Sequence, residues 1–206
     1  MTPRAHSAQL PTLDPREQMT VEEFLAFTEQ RPDGERWELI EGVAILQASP
    51  SKVHQIISSN IVRELGNERK LLKRRWLPLL GVGTRVPISP NSLPQPDAFV
   101  LETPDDDEAA YDNTTTDALV LFEVISRSNT RRDQAWRHRV YASIPNCQHY
   151  VTVHQRRIEV VRYDREADWE ATNLKSIDST LELSALGAAL PLAQIYADTP
   201  LAKGRL

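Results

Sequence analysis

The sequence predicts a mixed α/β (α+β) domain, with buried strands, hairpins and amphipathic helices in one chain. Three observations carry that prediction. Ala118-Leu119-Val120-Leu121-Phe122 continues through Val124 and Ile125 as an apolar run, broken only by Glu123. Such a run suits a strand covered on both faces. A polar turn and a helix over about 131–143 follow it. Elsewhere Glu41-Gly42 and His154-Gln155-Arg156 each sit between short alternating runs, which reads as two antiparallel hairpins.

Taken in order, residues 1 to about 18 read as a loose tail, polar and without a period. Residues 19–206 then read as one domain. Thr20 and Glu23 form a capping box that opens a helix over about 21–30, with Phe24, Leu25 and Phe27 as its apolar positions. Trp37–Leu46 is the first hairpin. Alternation puts Glu38 on one face with Ile40, and an exposed acid is the simplest reading of it. Val53, Ile57, Ile61 and Leu65 form the stripe of a helix over about 52–72, which Gly66-Asn67 is positioned to kink.

Thr84–Ile88 reads as a strand entered through Gly81-Val82-Gly83. That GxG neither follows a clear strand nor opens a helix, so it is far too weak a signal for a phosphate loop. Gln95–Leu101 is a strand with Asp97 at its start. Residues 103–117, with Asp105–Glu108, form an acidic connection to the central strand. Thr130 and Asp133 cap the next helix, where Trp136, Val140 and Ile144 recur and Asp133 can pair with Arg137. His149–Val153, Arg157–Tyr163 and Trp169–Leu174 are strands. Leu190–Tyr196 closes as a short helix, with Pro191 in its first turn.

Composition narrows the function classes. The chain has 24 basic and 29 acidic residues, net charge −5, which argues against coating nucleic acid by bulk charge. A groove lined locally by base remains open, because Arg69–Arg75 and Arg127–Arg139 are basic blocks. Cys147 is the only cysteine, so no internal disulfide forms, in keeping with a reducing compartment. No apolar run reaches the length of a membrane span, and residues 1–18 have no apolar signal core. A cytoplasmic location is expected.

Glu123 is the violation that draws attention. A carboxylate inside a buried strand costs several kcal/mol, on the order of an uncompensated buried ion, unless a cation or strong donors meet it. One resolution is an ion pair with Arg137 or Arg131. The other joins Glu123 to Asp97: if their strands pair, two acids meet at one point, and a divalent cation relieves their repulsion. Hard oxygen ligands without cysteines or a histidine pair favour Mg2+ or Mn2+ over zinc. His54, alone near a helix start, reads as a packing or hydrogen-bonding residue.

Pro96-Asp97 … Glu123-Val124-Ile125 resembles the PD-(D/E)xK nuclease superfamily. With Trp37-Glu38-Leu39-Ile40-Glu41-Gly42, Ser49-Pro50 … His54, Asp133 … Tyr141 and Tyr150-Val151, the stretch 19–196 resembles the Uma-two family of restriction-endonuclease-like proteins. The resemblance implies the restriction-endonuclease-like fold, a mixed β-sheet flanked by helices, and divalent-metal-dependent hydrolysis of DNA phosphodiesters. It implies Asp97, Glu123 and the Val124 carbonyl as metal ligands and Glu38 as an auxiliary acid. Arg131, Arg132, Arg137 and His54 would lie against the substrate, and a homodimer is expected. The superfamily's usual lysine, two residues after the glutamate, is Ile125 here. In this branch it moves to the helix, four residues before the tyrosine, where this chain has Arg137. Arginine stays charged and is a poor base, so a non-catalytic binding module is the alternative expectation.

Overall fold

The computed structural model describes residues 18–103, 112–127 and 129–202. Most of the expected tail (1–17), the acidic run 104–111 and Ser128 lie outside the described residues. Strands are β1 (Trp37–Ile40), β2 (Val43–Leu46), β3 (Trp76–Leu80), β4 (Gly83–Thr84), β5 (Ala98–Glu102), β6 (Thr114–Thr115), β7 (Val120–Ile125), β8 (His149–His154), β9 (Val160–Asp164), β10 (Ala171–Leu174), β11 (Thr180–Leu183) and β12 (Ala188–Pro191). Helices are α1 (Val21–Thr28), α2 (Lys52–Leu72), α3 (Arg131–Ala142) and α4 (Leu192–Ile195).

The main sheet runs β10-β9-β8-β7-β5-β3. Only β7 and β8 are parallel within it; the other neighbours are antiparallel. The predicted mixed sheet flanked by helices is what forms. β7 is buried along its whole length. Alternation sends Val120, Phe122 and Val124 into a core built with Ile57, Ile61 and Leu65 of α2. Leu121 points the other way, into a core with Val140, Tyr141 and Ile144 of the α3 segment. Each fully buried Ile or Leu on these faces contributes about 1.5–3 kcal/mol, so the two helices clamp β7 from both sides.

The hairpin turns through Glu41 (φ 50°) and Gly42 (φ +83°), the left-handed pair that a two-residue turn needs. Its strand β1 is tied by Leu39 to Leu93 in both directions, 2.7 and 3.4 Å. That staple draws the loop before β5 against the hairpin.

Several elements depart from the sequence expectation. β3, over residues to which the sequence pattern assigns no element, carries Pro78 at the edge of the sheet, where a missing N–H costs no ladder bond. Beyond Thr84 the expected strand gives way to turns. Gly83 serves packing: a Cβ there would meet Leu93 at 2.8 Å. α2 runs unbroken through Gly66-Asn67, and α1 ends at Thr28. The β11–β12 hairpin joins the α2 core through Leu181, Leu183, Ala188 and Leu190. No helix among the described residues is long and apolar enough to cross a membrane.

Candidate active site

β5 and β7 pair antiparallel with Ala98 opposite Phe122, so the start of one strand lies beside the end of the other. That register brings Asp97 and Glu123 to the same end of the sheet. Asp97 Oδ2 accepts the Val124 backbone N–H at 2.7 Å, taking the place of a ladder carbonyl. In a strand the N–H and C=O of one residue leave on the same side. The Val124 carbonyl therefore faces the Asp97 flank as well.

Three elements supply partners for these acids. Arg36, just before β1, donates to Asp97 Oδ1 at 3.2 Å. His54, in the first turn of α2, places Nε2 3.1 Å from Asp97 Oδ2. Ser51 caps that helix by accepting His54 N–H at 3.2 Å, which fixes where the imidazole starts. From α3, Arg137 donates through NH1 to Glu123 Oε1 at 3.0 Å and through NH2 to Glu38 Oε2 at 2.6 Å. Tyr141, one turn on, donates to the same Glu123 oxygen at 2.9 Å. Glu38 Oε1 accepts the Gln95 N–H at 2.8 Å, so Glu38 brackets the loop before Asp97 on one side and Arg137 on the other.

Glu38 is thus 1% exposed, not the surface acid that hairpin alternation suggested. Both faces of β1 are covered near it, so period-2 reasoning about one wet face fails. Asp133 does not hold Arg137: its carboxylate accepts the Thr130 N–H and hydroxyl at 2.9 and 2.7 Å in the helix cap. Arg137 is left to reach inward.

The electrostatics are uneven. Burial pushes Glu123 up, Arg137 opposes it, and Asp97 and Glu38 add to it; its pKa rises from 4.5 to about 8. Asp97 is pushed up by burial too, but His54, Arg36 and the Val124 N–H outweigh that and hold it below its ordinary value. Burial lowers Arg137, and Glu123, Tyr141 and Glu38 more than reverse this, so it stays charged.

A cleft of about 360 Å3 opens on this cluster. Arg36, Glu38, His54, Asp97, Glu123 and Arg137 all line it, with Arg127 and Arg156 among the others. Arg132 lines a neighbouring cavity. Arg131 is exposed and lines neither. The Arg69–Arg75 block does not converge here. Along α2, Arg69 is about 22 Å from His54 at 1.5 Å per residue, and Arg74 and Arg75 line a separate cavity with Leu119 and Gly187. Arg36 and Tyr141 complete the cluster without having been singled out for it. Arg36 precedes the strand, and Tyr141 reads from sequence as core.

Among the described residues no three His, Cys, Asp or Glu side chains form a ready-made metal cluster. The donors still suit a small hard cation: two carboxylates, a carbonyl on the same flank and no sulfur. Glu123 Oε2 has no hydrogen-bond partner among the described residues. Burial first, then Asp97 and Glu38, outweigh Arg137 in raising its pKa, so a further cation would favour its charged form.

A solved structure from Anabaena variabilis ATCC 29413, titled "a putative nuclease belonging to DUF820", is similar to the chain at TM-score 0.70 and 16% identity. The match covers 87% of this chain and 98% of that one, a likeness of fold. No curated protein matches. The model of the Uma2 family, described as "Putative restriction endonuclease", matches residues 21–193. By that match across most of its length, the chain belongs to the Uma2 family.

Proposed function

We propose that the protein is a divalent-metal-dependent nuclease acting on DNA phosphodiesters. The observation that carries the reading is the meeting of Asp97 and Glu123 across β5 and β7 in an open cleft walled by arginines. Asp97, Glu123 and the Val124 carbonyl are the groups that would hold Mg2+ or Mn2+. When bound, such an ion supplies Lewis acidity for hydrolysis. Arg137 keeps N–H donors beyond its three hydrogen bonds and offers a fixed charge to the phosphate. Glu38 sets its position. His54 and Arg36 orient Asp97, while Arg127, Arg156 and Arg132 give the strand a basic track. Two copies acting together are expected where both strands are cut.

The test is nicking of supercoiled plasmid with Mg2+, Mn2+ or chelator. Metal-dependent nicking that Asp97→Asn abolishes supports the reading; nicking unchanged in that variant removes it. One observation favours a second reading, a binding module without cleavage: Arg137 stands on Glu123 at the helix position where this branch of the superfamily carries its lysine. Arg137→Lys discriminates, because a gain of cleavage from an inactive wild type supports the binding module.

A further inference from the structure

A second cavity, about 770 Å3, opens between the β1–β2 hairpin and α3, and Glu38 and Arg137 are walls of both it and the Asp97 cleft. Ile40, Ile45, Ala135 and Trp136 supply its apolar wall. Ile45 is 40% exposed, and its strand neighbours Val43 and Leu46 are exposed as well. Trp136 Nε1 donates to Glu41 Oε1 at 3.1 Å, which holds the indole across the gap from the hairpin. Arg132 and Arg139 also line the cavity.

The acids lining it are already engaged. Glu38 meets Arg137 and Asp133 serves the α3 cap. Glu41 accepts from Trp136 and lies 4.0 Å from Arg139. The Arg132 side chain makes no hydrogen bond with the described residues. An apolar, aromatic wall beside guanidinium groups is the chemistry that takes a base and its phosphate.

We propose that this cavity receives one unpaired nucleotide of the DNA strand next to the cleaved phosphate. Its base lies against Trp136 and Ile45, and its phosphate faces Arg132 and Arg139. The inference rests on the nucleic-acid reading above and adds a substrate preference: single-stranded or locally opened DNA over closed duplex. A volume of this size admits a small ligand and excludes a double helix.

The test is tryptophan fluorescence of the whole protein in chelator, titrated with oligothymidylate and with a duplex of equal length. The expected result is quenching by the single strand. Trp136→Leu removes that quench and weakens single-strand binding roughly tenfold, as loss of one stacked base does, with duplex binding unchanged. Arg132→Ala, an exposed change that spares the core, lowers the salt dependence of single-strand binding by about one phosphate contact. That variant decides the matter if Trp136→Leu does not fold. Single-strand affinity unchanged in both variants, or no preference over duplex, overturns the inference. Plasmid nicking that survives such a result leaves the nuclease reading intact. Quenching without nicking under any metal keeps the nucleotide site and removes the nuclease.

Discussion

Arg137 NH1 lies 3.0 Å from Glu123 Oε1 while its NH2 lies 2.6 Å from Glu38 Oε2, so one guanidinium from α3 joins two buried acids from separate strands. Neither carboxylate has another arginine within 4.0 Å among the described residues. Removing one partner of a buried pair costs about 3–5 kcal/mol, and Glu123 relieves part of this by holding its proton. Arg137→Ala is therefore expected to lower stability by that order, read as a shift of the urea midpoint. Mg2+ is expected to restore part of the loss in this variant, since the account makes the cluster short of positive charge.

Glu123 also predicts a pH dependence. The folded chain holds its carboxyl proton up to about 8, whereas the ordinary value is 4.5. Between those values the folded state binds the extra proton, so metal-free stability falls as pH rises through that window. Glu123→Gln is expected to flatten the slope. Thermal melts at several pH values between 5 and 8, with chelator, measure it.

Tyr141 is fully buried, accepts from Arg137 at 3.1 Å and donates to Glu123. Tyr141→Phe keeps the ring's packing and removes one hydrogen bond each from Arg137 and Glu123, which still hold each other. The expected cost is about 1–3 kcal/mol in chemical denaturation. A loss near zero would show that the hydroxyl plays no part in holding the pair.

Thr130 accepts the Asp133 N–H at 3.1 Å and opens the helix that carries Arg137. Thr130→Ala is expected to cost about 1 kcal/mol, and equilibrium unfolding reads this directly.

Much of this arrangement was legible in the residues. The capping boxes at Thr20 and Thr130, the Ile57–Leu65 stripe and the Glu41-Gly42 turn are local signals, and each lies where local chemistry puts it. The meeting of Asp97 and Glu123 followed from one conditional, that their strands pair. What failed was set by tertiary neighbours. Trp76–Leu80, to which the sequence pattern assigns no element, is an edge strand that tolerates Pro78. Glu38 is buried by α3 and the Gln95 loop, which no window around β1 contains. The Asp133–Arg137 spacing is favourable on an isolated helix, but the Thr130 cap takes the acid and two buried carboxylates take the arginine.

Calorimetric titration of Mg2+ into the wild type, Asp97→Asn and Glu123→Gln tests the ion-clasping claim without relying on turnover. The wild type should bind at pH 7 with release of a proton from Glu123, and both variants should lose the binding heat while keeping their fold. Equal binding in all three proteins, or none in the wild type, would contradict the account.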